Sequence, residues 1–148
     1  MPSAARECAF CRIVSGREPA HVVLDDAHAM AFLDHRPLFP GHCLLVPRAH
    51  HETLGDLPEA EVAPLFQRAR RLSRAVEEAL AAEGTFVAVN NRVSQSVPHL
   101  HVHVVPRRRQ DGLRGFFWPR QRYQGPEQMA EVQGRLQEAL ARLPAGGA

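Results

Sequence analysis

The sequence predicts an α+β fold built on a mostly antiparallel sheet, with one long helix set between two groups of strands and a second helix near the C-terminal end. Three observations predict it. Short apolar runs crowd the first 46 residues, a single helical periodicity fills residues 58–82, and strand character returns before a last helical pattern begins. Strands and helices therefore do not alternate strictly, as a parallel βαβ sheet would require.

The elements follow in order. Residues 21–25 (His-Val-Val-Leu-Asp), 29–33 (Ala-Met-Ala-Phe-Leu) and 42–46 (His-Cys-Leu-Leu-Val) are apolar runs separated by Asp, Gly and Pro, the punctuation of three short strands. From Pro58 to about Ala82, Val62, Leu65, Phe66, Ala69, Leu72, Val76 and Leu80 recur at helical spacing, with arginines and glutamates between them. This is one amphipathic helix, and Gly84 is its stop signal. Residues 86–90 and 99–105 bring the strand count to five. A loop rich in Arg, Gly and aromatics covers residues 106–125, and Pro126 opens the second helix, with Met129, Val132, Leu136 and Leu140 on one face. Residues 1–7 and 144–148 read as flexible ends. With no internal repeat or linker, residues 1–148 read as one domain.

Composition narrows the function. At 148 residues, 45% hydrophobic and 23% charged, the chain has the balance of one ordinary globular domain rather than a disordered or fibrous protein. All 18 basic residues are arginine, yet the formal charge is only +2, which is not the footprint of a nucleic-acid-binding surface. Residues 1–10 lack the apolar core of a secretion signal, and no apolar run approaches the roughly 18 residues of a membrane span. A cytoplasmic location is expected, with no membrane partner. Cysteines number three, and Cys8 and Cys11 are spaced as a Cys-x-x-Cys pair, which in such a compartment favours a metal or redox site over a disulfide framework.

The densest chemical signal is His99-Leu-His-Val-His-Val-Val105. Side chains on a strand alternate between faces, so His99, His101 and His103 form a row on one side while Leu100, Val102 and Val104 enter the core. Nine histidines in this length produce such a triplet by chance roughly 0.03 times, which disfavours a mere solvated strand face. Two chemistries suit the row. Three imidazoles could hold a catalytic metal with an open position, or one could act as a nucleophile whose orientation the others control.

The run resembles the His-φ-His-φ-His-φ-φ signature (φ hydrophobic) of the histidine-triad family of nucleotide hydrolases and transferases. The resemblance extends from Cys8 to about Arg108, through Phe10-Cys-Arg-Ile13, Ala31-Phe-Leu-Asp34, Pro40-Gly-His42, Val46-Pro-Arg-Ala-His50 and Gln95-Ser-Val97. It implies a HIT-like fold and an attack by the middle histidine, His101, on the α-phosphorus of a purine nucleotide, giving a nucleotidylated intermediate that water or another acceptor discharges. Neutral imidazole is a good nucleophile near pH 7, and a covalent intermediate divides one hard displacement into two easier ones. The same resemblance gives His103 a hydrogen bond to a nonbridging phosphate oxygen. Gln95, Ser96 and Asn90 would add polar contacts around the phosphate and leaving group. Asp34 would accept hydrogen bonds from the ribose hydroxyls, with Phe10, Ile13, Phe32 and Leu33 against the base. His35 stands where one branch of the family carries an aliphatic residue near the base, so base preference is open.

Bacterial members with the Cys-x-x-Cys pair complete a structural zinc site with histidines at the positions of His50 and His99. The resemblance thus implies a closed set of Cys8, Cys11, His50 and His99, with His51 as the competing neighbour, and it leaves His101 free for chemistry. It also implies a homodimer formed through the long helix and neighbouring strand. Beyond Arg107 the likeness thins. The Val105-Pro-Arg107 continuation is nearer the dinucleoside-polyphosphate branch than the phosphoramidase branch, and the arginines and Trp118 of the loop could serve a longer phosphate chain and a second base. Two other classes stay open: a nucleotide-binding regulatory module without turnover, and a metal-dependent hydrolase in which the triad itself holds the metal.

Overall fold

The structure is a computed structural model that describes residues 8–114 and 120–144. Its order of elements is α1 (Ala9–Val14), β1 (Val22–Asp25), β2 (Ala29–Leu33), β3 (Cys43–Pro47), a short 3-10 turn (Leu54–Asp56), α2 (Glu59–Leu80), β4 (Gly84–Val89), β5 (Val102–Arg107) and α3 (Pro126–Arg142). The strands form one five-stranded sheet in the order β1-β2-β3-β5-β4, with every neighbouring pair antiparallel. The predicted α+β class, strand count and both helices are present. Contacts divide the chain after Arg109 into two compact units, the first holding the sheet, α1 and α2, and the second holding α3.

The sheet is covered on both faces, and the alternation of strand side chains shows how. Ala29 and Ala31 of β2, Cys43 and Leu45 of β3, and Val102 and Val104 of β5 pack with Leu65, Ala69, Leu72 and Val76 of α2. The intervening residues Met30, Phe32, Leu44 and Val46 pack on the opposite face with Cys8, Phe10 and Cys11 of the α1 segment. Two covered faces explain why β2 and β3 read as continuous apolar runs rather than alternating ones. Leu45, with no exposed surface, contributes about 1.5–3 kcal/mol by its burial alone.

Beyond shifts of one or two residues at strand ends, three features differ from the sequence expectation. Helix α1 was not expected, because Ala-Phe-Cys-Arg-Ile-Val is too short and too uniformly apolar to show a helical period. Cys8 is the N-cap of this helix and Cys11 lies in its first turn. Helix α2 ends at Leu80, where Ala81 takes the left-handed conformation (φ 50°) and Ala82 N–H closes on the Glu77 carbonyl at 3.1 Å; Gly84 instead begins β4. Strand β5 is hydrogen-bonded as a strand only from Val102, not from His99. Residues 99–101 lie alongside the 47–51 segment instead, with Leu100 N–H donating to the His51 carbonyl at 2.6 Å. Facing is nonetheless kept, since Leu100 is buried with the α2-side core.

In the second unit α3 begins at Pro126, as expected, but none of its residues is buried, and Met129, Leu136 and Leu140 are exposed. The expected flexible ends and Trp118 lie outside the described residues, apart from Pro144.

Gly41 sets the entry to β3. Its φ of +99° suits glycine, and a Cβ there would stand 2.1 Å from the Leu80 Cδ1 atom. Gly16 is also left-handed (φ +77°) but has open space around it. Gly41→Ala is expected to cost about 2 kcal/mol, combining backbone strain with a forced swing of Leu80, and Gly16→Ala about 1 kcal/mol from strain alone. Urea midpoints of the two variants check the ordering; equal losses would contradict it.

Candidate active site and metal cluster

Two groups of side chains meet on the α1 face of the sheet. The first gathers Cys8, Cys11, His50 and His99, whose ligand atoms all lie within 4.8 Å of one another. His99 Nδ1 is 3.5 Å from both thiol sulfurs, and His50 Nδ1 is 3.3 Å from that of Cys11. A tetrahedral zinc with metal–sulfur and metal–nitrogen bonds of about 2.3 and 2.0 Å separates such atoms by roughly 3.5 Å, so the donor set has the spacing of a closed zinc site. His99 Nε2 donates to the Pro47 carbonyl at 3.0 Å, which leaves Nδ1 bare for a metal. Burial pushes the His99 ring down to about 4, keeping it neutral, and pushes the Cys11 thiol, beside Cys8, up to about 11. A buried thiol of this kind ionises readily only when a cation compensates its charge. His51, the competing ligand, is not in the cluster and contributes its backbone carbonyl to Leu100.

The second group is a chain of three imidazoles whose tautomers are fixed from the backbone. Leu38 N–H donates to His42 Nδ1 at 3.1 Å, so His42 carries its proton on Nε2 and donates to His103 Nδ1 at 2.9 Å. His103 in turn carries its proton on Nε2. Burial lowers His42 below the usual imidazole range, although the Asp34 carboxylate, 3.8 Å from Nε2, pulls the other way. Burial and the adjacent rings of His101 and His42 push His103 down to about 4. His101, almost fully buried, donates from Nδ1 to the His99 carbonyl at 2.7 Å, which leaves the Nε2 lone pair free. Its ring centroid is 4.9 Å from that of His103 and 5.1 Å from that of Phe10. Among the described residues the three triad histidines do not share one group of possible metal ligands: His99 gathers with Cys8, Cys11 and His50, and His103 with Asp34 and His42.

A cavity of about 480 Å³ opens beside His101. Phe10, Ile13, Phe32 and Leu33 give it an apolar end, and Asp34, Ser96, His101 and His103 also line it, so the structure brings these eight sequence candidates to one space. Asn90 and Gln95 are not among the lining residues. Asn90 donates to the Ser94 carbonyl at 3.4 Å, while Gln95 accepts from Arg92 N–H at 2.8 Å and donates to the Glu52 carbonyl at 2.6 Å. Both brace the loop before the triad. Glu18, His21 and His35 also line the cavity. Sequence reasoning did not single out His42, although alternation along β3 puts position 42 on the face of Leu44 and Val46, which is the face of His103.

The HIT domain matches residues 15–110. An uncharacterized HIT-like protein of Saccharolobus solfataricus is 37% identical over 139 residues, covering 92% of this chain and 99% of that one. The adenylylsulfatase of Arabidopsis thaliana is 32% identical over 72% of this chain, which spans 55% of that protein's length. The adenosine 5'-monophosphoramidase of Saccharomyces cerevisiae is 29% identical, over 92% of this chain and 82% of its own. Among solved structures, a HIT family protein of Bacillus subtilis superposes with a TM-score of 0.83 at 28% identity, over 95% of this chain and 99% of that one. A zinc-bound histidine triad family protein of Mycobacterium smegmatis does so with a TM-score of 0.70 at 36% identity, over 91% and 99%.

The imidazole chain carries its own test. Long-range nitrogen NMR is expected to find His103 with a protonated Nε2 and bare Nδ1 above about pH 5, the ring titrating near 4 rather than 6.5. The depressed folded-state value means that the unfolded chain binds the proton more readily. Stability contributed by the neutral ring is therefore present above pH 6.5 and lost as pH falls toward 4. A midpoint near 6.5, or a proton on Nδ1, would contradict the assignment.

Proposed function

Since the chain belongs to the histidine-triad (HIT domain) family, we propose that it is a nucleotide hydrolase acting at an α-phosphate through a covalent intermediate on His101. The observation that carries this reading is the complementary pair of tautomers, a bare Nε2 on His101 beside an Nε2–H on His103, in the wall of a nucleotide-sized cavity. His101 Nε2 attacks phosphorus, and the bond to the leaving group breaks with its electron pair going to that group. Water then attacks the phosphorus, the N–P bond breaks with its electron pair returning to His101 Nε2, and nucleoside monophosphate is released, the proton lost by the water replacing the one the leaving group took from solvent. His103 donates to a nonbridging oxygen throughout and stabilises the charge that gathers there. Asp34 takes the ribose, and the ring of Phe10 with Ile13, Phe32 and Leu33 takes a purine base. Ser96 faces the phosphate, while Gln95 and Asn90 act by holding its loop.

The leaving group follows from charge. Two carboxylates, Glu18 and Asp34, line the cavity, and none of its described lining residues is arginine. A chain of several phosphates would lack compensation there, which supports a substrate of lower charge such as a phosphoramidate over a dinucleoside polyphosphate, in keeping with the yeast relative named an adenosine 5'-monophosphoramidase.

We assign zinc to Cys8, Cys11, His50 and His99 as a structural ion that, when bound, cross-links the N-terminal segment to the catalytic strand. Three buried free thiols suit a reducing cytoplasmic compartment; among the described residues no helix is long and apolar enough to cross a membrane. Strand β4 supports a homodimer. It ends the sheet, its six residues carry no charge or proline, and Val87 is 43% exposed, an edge that a second copy would extend antiparallel.

Two measurements test these assignments. Release of adenosine monophosphate from adenosine phosphoramidate is expected to fall at least ~1,000-fold in His101→Ala, with a nucleotidylated protein trapped from wild type by rapid denaturation at alkaline pH. Equal release by both proteins would overturn the nucleophile, and absence of turnover on phosphoramidates, mixed anhydrides and dinucleoside polyphosphates alike would favour a binding role. Val87→Lys is expected to shift the protein from dimer to monomer in sedimentation; a wild-type monomer would exclude the edge pairing.

A further inference from the structure

We propose that the metal cluster and the nucleotide cavity are thermodynamically coupled, so that zinc and nucleotide each tighten the binding of the other, with α1 and His99 as the coupling parts. The proposal rests on the nucleotide reading above. Its basis is that the two sites share supports without sharing contacts: none of Cys8, Cys11, His50 and His99 lines the cavity. The six-residue α1 is far too short to hold its shape alone. One side of this segment presents Cys8 and Cys11 to the cluster, and Ala9, Phe10 and Ile13 form cavity wall. Phe10 also carries the contact inward, its ring meeting Phe32 at 5.3 Å, His99 at 6.0 Å and His101 at 5.1 Å.

His99 provides the second path. Its Nδ1 faces both thiols, while its carbonyl accepts the proton that fixes the His101 tautomer, at 2.7 Å. A metal that immobilises the His99 ring therefore holds the acceptor on which the nucleophile's orientation depends. His99 acts as a positioning residue through His101. With the metal gone, the remaining sulfur–nitrogen contacts are weak hydrogen bonds, and both the cavity wall and the His99 backbone gain freedom that a nucleotide must then remove on binding. Coupling of equilibrium affinities is reciprocal, so the same factor must appear in both directions.

The test uses the full chain, zinc as the metal and adenosine monophosphate as the nucleotide, which as a product is not consumed. Calorimetry is expected to find the nucleotide bound on the order of tenfold more tightly by zinc-loaded than by zinc-free protein, and chelator competition to find zinc held more tightly by the same factor when nucleotide is saturating. Phe10→Leu, which leaves all four metal donors in place, is expected to keep zinc affinity in the absence of nucleotide but to shrink the factor. Asp34→Asn weakens nucleotide binding in both forms and leaves the factor intact. Hydrogen exchange of the zinc-free protein is expected to show the α1 amides opening while β2 and β3 stay protected. Equal affinities with and without zinc would overturn the coupling and spare the nucleotide site. Failure of the zinc-loaded protein to bind the nucleotide would overturn the nucleotide reading and the coupling with it. Loss of protection across the whole sheet would replace the local link by global folding and overturn the proposal.

Discussion

The first unit is organised around the burial of one polar side chain. His99 has no exposed surface, so each of its polar atoms must find a partner inside the protein or carry an uncompensated desolvation cost of several kcal/mol. Nε2 finds the Pro47 carbonyl, Nδ1 finds two thiols, and the backbone carbonyl finds His101. These partners come from the N-terminal segment, the end of β3 and the triad strand. Satisfying one imidazole thereby fixes three pieces of chain distant in sequence, and the orientation of His101 is one outcome of that arrangement.

A second constraint comes from the sheet. Its α2 face carries Ala29, Ala31, Cys43, Leu45, Val102 and Val104, with no aromatic among them, while Met30, Phe32, Leu44 and Val46 occupy the other. The aromatic Phe32, with Leu44, lies on the α1 side, where both line the cavity. The chemistry lies on the same side because the triad histidines alternate with Leu100, Val102 and Val104, which fill the α2-side core. Fold and site are thus two readings of one period-two pattern.

That pattern made much of the molecule legible from the sequence. The bounds of β2 match the expected 29–33, and the alternation of Leu100, Val102 and Val104 against the histidines survives even though the strand ladder begins only at Val102. The four clustered metal donors and eight of the cavity residues were also named from the sequence, largely through the family signature. What escaped depends on tertiary contacts. Helix α1 has too few residues to display a period and takes its shape from what Cys8, Phe10 and Cys11 touch. His42 looked like the first residue of an ordinary strand, since its partners are a backbone N–H four residues earlier and a ring 61 residues later. Gln95 sits beside the motif, yet its amide is used by the loop, which adjacency in sequence cannot show.

The hydrogen-bond chain from Leu38 through His42 to His103 has a direction, and that direction originates in a peptide group. A side-chain donor at its head could be lost by substitution or reversed by titration, whereas a main-chain N–H can do neither. Sequence drift at position 38 among non-proline residues therefore leaves the polarity of the relay untouched. The proton on His103 Nε2 is set by the path of the backbone, and the surrounding side chains are free to diverge without rewriting it.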